Sequence, residues 1–229
     1  MKYGFLFFTL SIVLSLGIGQ FPDLQWLLIW LSLDFLWVGG AYLRLGAQML
    51  GKRSRGQIAI APLIFLMPYF LLTWLVWRMQ TVLSREDACT EIIPGVWLGR
   101  RLSATELPNH INVIVDLTAE FSEPEEIRAG RDYICVPILD GFIPRDRIFD
   151  KLIHNLSSQT GNIYIHCALG HGRSAMVMAA LLQAKGQVTT VEEAEDFISK
   201  LRPHIRLNYP QKQLLKRFFL SSSSCARIE

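Results

Sequence analysis

The nonapeptide His166-Cys167-Ala168-Leu169-Gly170-His171-Gly172-Arg173-Ser174 separates a cysteine and an arginine by five residues, two of them glycines. Before it, Gly161-Asn162 has turn composition and Ile163-Tyr164-Ile165 that of a short buried strand; after it, an apolar run begins at Ala175. The order predicted is strand, glycine-bearing loop, helix. In such a loop the amides point inward at the positive end of the helix, which makes an anion site. A cysteine there is favoured as thiolate, and an arginine closing the loop offers a planar fork that matches two phosphate oxygens. Nucleophile and oxyanion clamp on one loop are what phosphoryl transfer to sulfur requires.

A second group must protonate the leaving oxygen and then activate water, and one carboxyl can do both by switching from acid to base. Asp140 is the leading candidate. It ends the apolar segment Tyr133–Leu139 and opens Asp140-Gly141-Phe142-Ile143-Pro144, a loop with a glycine hinge. Capping of the helix expected near Arg145 is its alternative role. Asp146 and Asp150 are fallbacks, better suited to a solvated helix face.

His166-Cys167 followed by Arg173-Ser174 resembles the signature of the cysteine-dependent protein tyrosine phosphatase superfamily, and Gly170 and Gly172 resemble its dual-specificity branch. The resemblance runs from about Ile92 to Phe219, including Ile93-Pro94-Gly95-Val96-Trp97-Leu98-Gly99 and the segment Ile111–Thr118 ending in Asp-Leu-Thr. It implies that Cys167 attacks phosphorus, that residues 168–174 bind the phosphoryl oxygens, and that His166 steadies the loop. Ser174 would donate to the sulfur as phosphate leaves. The general-acid aspartate of that branch lies about 30 residues before the cysteine; Asp140 lies 27 before Cys167. Lipid-directing relatives often carry lysine where this chain has Ala168 and His171, which argues against a polyphosphoinositide substrate. Arg202-Pro203 and Gln211/Gln213 resemble C-terminal elements of the family; Gln211 reads as a water-positioning group or, more simply, an exposed helix glutamine. No metal or cofactor is implied.

The chain has 229 residues and is 51% hydrophobic, with the excess in its first 80. There Lys2, Arg44, Lys52, Arg53, Arg55 and Arg78 face Asp23 and Asp34, a net +4; the remainder, with 17 basic and 18 acidic residues, is −1. The C-terminal part therefore has no nucleic-acid footprint. Three apolar runs, Tyr3–Gly19, Leu24–Leu43 and Ile58–Trp77, predict about three transmembrane helices, hence a multi-pass integral membrane protein in contact with the bilayer. The first run reads as a retained span, with a signal peptide as its alternative. Arg44, Lys52, Arg53 and Arg55 place the loop between runs two and three in the cytoplasm and, with three spans, the catalytic part on the far side. A re-entrant third run, broken by Pro62 and Pro68, would leave it cytosolic. Asp34 reads either as a functional group within a span or as a helix-association contact, packed on Trp30 or Trp37 or bonded to Ser32.

The expected organisation is a membrane region over 1–80, a connector over 81–91, an α/β catalytic domain over 92–220 and a polar tail over 221–229. Within the domain, strands are predicted near 92–98, 112–117, 133–138 and 162–166, and helices near 103–108, 145–157, 173–185, 190–201 and 210–220. A central mixed sheet flanked by helices follows. Cys89, Cys135, Cys167 and Cys225 have no paired short spacing, so a zinc site is unsupported. Phosphorylated proteins are the default substrate class. A phospholipid headgroup such as phosphatidylglycerophosphate is the alternative, and an inactive phosphate-binding module or a rhodanese-type sulfurtransferase lies outside that class.

Overall fold

The computed structural model describes residues 2–225. Among them, β1 (Cys89–Ile93), β2 (Val96–Gly99), β3 (Val113–Thr118), β4 (Asp132–Ile138) and β5 (Ile163–His166) form one sheet in the order β1-β2-β5-β3-β4. β1 and β2 are antiparallel, while β2, β5, β3 and β4 run parallel. The sheet is mixed, as expected, with β5 in its middle. Every residue of β3 and β5 is buried, as befits parallel strands covered on both faces. Pro137 is tolerated in β4 because β4 is an edge.

The helices are, along the chain, α1 (Lys2–Gly17), α2 (Gln25–Gly40), α3 (Ile60–Phe65), α4 (Met67–Leu83), α5 (Glu125–Arg128), α6 (Asp146–Ser157), α7 (Arg173–Ala184), α8 (Val191–Ser199) and α9 (Tyr209–Cys225). Alternation along the strands assigns the two faces of the sheet. Val113, Val115, Leu117, Ile163 and Ile165 share the larger core with apolar residues of α6, α7, α8 and α9. Ile114 and Tyr164 share the smaller one with Leu102, Leu107, Ile111 and Ile127. α7 is buried through its first ten residues, so it is the central helix of the larger layer. α8 begins with a full capping box in which Thr190 and Glu193 satisfy each other's amides.

Three boundaries differ from expectation. The strand expected over 92–98 is a hairpin: β1 and β2 meet at Pro94-Gly95, and Gly95 takes φ +78, a conformation open to glycine. Residues 103–108 form turns, not a helix, with Glu106 accepting from the Ser103 amide. Residues 221–225 of the expected polar tail continue α9, and 226–229 lie outside the described residues.

Residues up to Leu83 together with Ala119–Glu123 form one compact unit; Ser84–Thr118 with the chain from Pro124 onward forms another. In the first unit the expectation of about three transmembrane helices is corrected. Among the described residues one helical stretch, Pro22–Leu45, is long and apolar enough to cross a membrane. The first run ends as a helix at Gly17, after 16 residues. The third run is broken at Leu66 into a six-residue α3 and the 17-residue α4, because Pro68 has no amide with which to continue the preceding turn. The multi-pass reading falls with it.

α1 and α2 pack through a serine cluster: the Ser11 hydroxyl donates to the Ser32 carbonyl at 2.8 Å, and the Ser15 and Ser32 hydroxyls are 2.6 Å apart. Asp34 bonds to neither tryptophan nor Ser32. Its Oδ2 accepts the Tyr69 amide at 2.8 Å, so this fully buried carboxyl caps the first turn of α4 from a neighbouring helix. Trp30 and Trp37 donate instead to the carbonyls of Phe65 and Met49. Asp34→Ala leaves a buried amide unpaired and is expected to destabilise this unit by about 1–3 kcal/mol. Asp34→Asn, which keeps an acceptor, should lose much less. Thermal unfolding of the detergent-purified full chain reads the difference, and equal losses would refute the cap.

Candidate active site

The loop expected between strand and helix spans residues 167–172, from the end of β5 to the start of α7. Cys167 is buried, and its Sγ accepts from the Gly170 amide at 3.3 Å and lies 3.2 Å from the Ser174 hydroxyl. Gly170 takes φ +82, and a side chain there would stand 2.6 Å from the Gly99 carbonyl carbon. β2 thus braces the loop from outside, and the Arg101 amide adds a bond to the Ala168 carbonyl at 3.1 Å. Gly172, by contrast, takes an ordinary φ of −116, and the nearest atom to an added Cβ is 3.5 Å away.

α7 begins with no side-chain cap and no acidic residue in its first turn, unlike α8. Its first residue is Arg173, 2% exposed. A buried cation at a helix N-terminus opposes the helix dipole, so this loop concentrates positive potential from amides and guanidinium together. Arg173 is held by the Ile138 carbonyl, which accepts from Nη1 at 2.8 Å, and by Asp140, whose Oδ1 is 3.3 Å from Nη2. The end of β4 and the loop after β5 are therefore joined by one side chain. It brings together Cys167, Arg173 and Asp140, expected on chemical grounds to share a site. Asp140 follows β4 in a turn where Gly141 has φ +74 and the Asn208 side chain donates through Nδ2 to the Gly141 carbonyl at 2.7 Å. The Asp140 carboxyl is 59% exposed. It caps no helix: α6 is preceded by Arg145, Asp146 pairs with Arg217, and Asp150 lies within the helix.

His166 is buried with Nδ1 3.4 Å from the Cys167 carbonyl, and its ring stacks on Tyr164 at 5.5 Å. The Tyr164 hydroxyl donates to the Arg100 carbonyl, and burial raises its pKa well above the usual phenol value. Asp116, opposite His166 in the β3–β5 register, accepts from Tyr133 at 2.5 Å and from the Thr118 amide and hydroxyl.

Two supports were not legible from their own segments. Gln211, read as an exposed helix residue, is 1% exposed. It exchanges bonds with Asn208 and lies against Gly172. Glu86, on the short link after α4, accepts from the His171 ring at 2.5 Å. Burial pushes its carboxyl up, but the bonds from His171 and His204 and the charges of His171 and Arg202 outweigh this and hold it below the ordinary carboxylate range. No local pattern marks Glu86 or the burial of Gln211, because His171 and Gly172 are remote from them in sequence.

Comparison with known proteins agrees with this geometry. The family model described as "Dual specificity phosphatase, catalytic domain" matches residues 96–219, more than half of the chain. Dual specificity protein phosphatase 18 of Mus musculus is 32% identical over 111 residues, which cover 47% of this chain and 55% of that protein. Dual specificity protein phosphatase 26 of Mus musculus is 28% identical over 190 residues, 77% of this chain and 85% of that protein. The chain spans about half the length of the mouse and rat phosphatase 18 proteins it matches. Among solved structures, that of PTPMT1 in complex with PI(5)P superposes with TM-score 0.55 at 24% identity, over 61% of this chain and 99% of that one. Tk-PTP in the active form gives 0.53 at 21% identity, over 58% and 97%. These likenesses are of fold.

The two loop glycines should respond unequally to alanine. Gly170→Ala meets both a left-handed backbone and the β2 carbonyl, and is expected to destabilise the catalytic unit by at least about 1–2 kcal/mol. Gly172→Ala meets ordinary contacts and should cost well under half of that. Thermal unfolding of the two variants side by side checks the ranking; equal losses would mean that the β2 brace does not constrain the loop.

Proposed function

Since this chain belongs to the dual specificity phosphatase catalytic-domain family, we propose that it hydrolyses phosphomonoesters through a cysteinyl-phosphate intermediate, with phosphotyrosine, phosphoserine or phosphothreonine of proteins as its default substrates. The observation that carries the reading is the Arg173 guanidinium, buried beside the Cys167 loop and paired with Asp140 at 3.3 Å. In this reading the Cys167 thiolate attacks phosphorus. The S–P bond forms as the bond to the ester oxygen breaks, and Asp140 gives that oxygen its proton. Arg173 and the loop amides hold the three equatorial oxygens as charge shifts among them. Water then attacks the cysteinyl phosphate and Asp140 takes its proton. The S–P bond breaks with its electrons returning to sulfur, which the Ser174 hydroxyl at 3.2 Å stabilises.

Attachment to a membrane through Pro22–Leu45 belongs to the same proposal. With one span in place of three, the basic cluster Arg44, Lys52, Arg53 and Arg55 and the chain after it fall on the cytoplasmic side. The conflict between the charge rule and a thiolate that needs a reducing compartment then disappears. A second reading, hydrolysis of a phospholipid headgroup, is favoured by the same apolar helix and by the likeness in fold to a structure of PTPMT1 holding PI(5)P. The absence of lysine at 168 and 171 weighs against a polyphosphorylated inositol ring.

Phosphate release by the full chain in detergent, measured with a phosphotyrosine peptide and with phosphatidylglycerophosphate, separates the two substrate classes. Cys167→Ser is expected to abolish release from whichever is turned over. Asp140→Asn should lower kcat by about 10²–10⁴-fold with esters of poor leaving groups, and with an aryl phosphate should slow first-turnover release of the phenol much less. Release that survives Cys167→Ser would refute the cysteinyl-phosphate route.

A further inference from the structure

Glu86 lies three residues beyond the end of α4 and is the point where three separate segments of the catalytic unit meet. Its Oε2 is 2.5 Å from Nε2 of His171, inside the catalytic loop, and its Oε1 is 2.7 Å from Nδ1 of His204. Arg202 places Nη2 3.7 Å from Oε2, and its Nη1 donates to the Asp87 carbonyl and the Thr90 hydroxyl at 3.0 and 3.1 Å. The Arg206 amide donates to the His171 carbonyl at 3.0 Å, so His171 is gripped through both ring and backbone. The Glu86 side chain is 15% exposed and that of Arg202 2%, whereas the rings of His171 and His204 are 31% and 69% exposed, so the carboxylate is shielded while both imidazoles reach solvent. The carboxyl is held ionised by the surrounding bonds and charges, as described above. An ionised carboxylate is an acceptor only, so His171 meets it with a proton on Nε2, and the orientation of the ring is fixed.

We propose that Glu86 is a positioning residue for phosphoryl binding, acting through His171: it fixes the imidazole within the loop that takes up the phosphate oxyanions. The proposal rests on the phosphatase reading for its substrate but makes a prediction about phosphate binding alone. A carboxylate behind a histidine is a general means of setting which ring nitrogen faces outward, and contacts of this kind couple in mutational cycles. His204 and Arg202 complete the grip on Glu86 from the segment before α9, so the carboxylate is itself held in place.

The test is a double-mutant cycle on the full chain, with inorganic phosphate as probe and its dissociation constant as readout. Glu86→Gln is expected to weaken phosphate binding by about 3- to 10-fold, the size of coupling that contacting residues show. With an aryl phosphate the loss should appear mainly in KM. Glu86→Asp should recover part of it. In a His171→Asn background Glu86→Gln should have no further effect. A loss that persists undiminished in that background overturns the proposal, because a merely structural role for Glu86 does not need the imidazole. If Glu86→Gln fails to fold, Glu86→Asp in both backgrounds reads the same coupling. Turnover by the wild-type chain is scored separately: coupled phosphate binding without turnover keeps the role of Glu86 and removes the phosphatase reading.

Discussion

Arg173 is a cation that the fold has taken almost completely out of water. Burying a guanidinium costs several kcal/mol unless partners replace its hydration, and removing the partners of such a group is among the more damaging changes a protein can suffer. Here the Ile138 carbonyl and the Asp140 carboxylate supply part of that replacement, one from the last residue of β4 and the other just beyond it. The arginine therefore fixes the distance between the loop after β5 and the turn after β4. Those two places hold the sulfur and the carboxyl that the proposed mechanism uses.

Around that constraint the sheet acts as a frame. β5 is central and carries Cys167 at its C-terminal end, while β2 on one side presses Gly99 against Gly170 and β3 on the other sets Asp116 opposite His166. The contrast between the two successive helices is instructive. α8 satisfies its own first amides with Thr190 and Glu193, whereas α7, preceded by Gly172, has neither side-chain cap nor acid in its first turn. An uncapped helix start beside a buried arginine is electrostatically suited to a dianion. The same side chains that would stabilise α7 as a helix would work against the site.

Much of this was legible from local pattern. The strand Ile163–His166, the glycine loop and the apolar helix after it are adjacent in sequence, and Asp140 is marked by the end of an apolar segment followed by Gly141. The capping box of α8 is equally local, with Thr190 and Glu193 three residues apart. What escaped depends on remote partners or on a small break in a smooth pattern. Pro94-Gly95 turns the chain within what reads as one apolar strand. Leu66 and Pro68 divide an apolar run that hydropathy alone reads as a span. Glu86 looks like an ordinary polar residue until the fold brings His171 to it, and Asp34 and Gln211, though singled out in the sequence, meet Tyr69 and Gly172 only in the fold.

A phosphoryl group carried on the sulfur of Cys167 can be trapped there. The Asp140→Ala chain, in which water lacks its base, would be mixed with an aryl phosphate, quenched in acid within the first turnover and analysed by peptide mass spectrometry. The account predicts a phosphoryl adduct on Cys167 that accumulates in step with the released phenol. Phenol release with no adduct, or an adduct on any other residue, would contradict it.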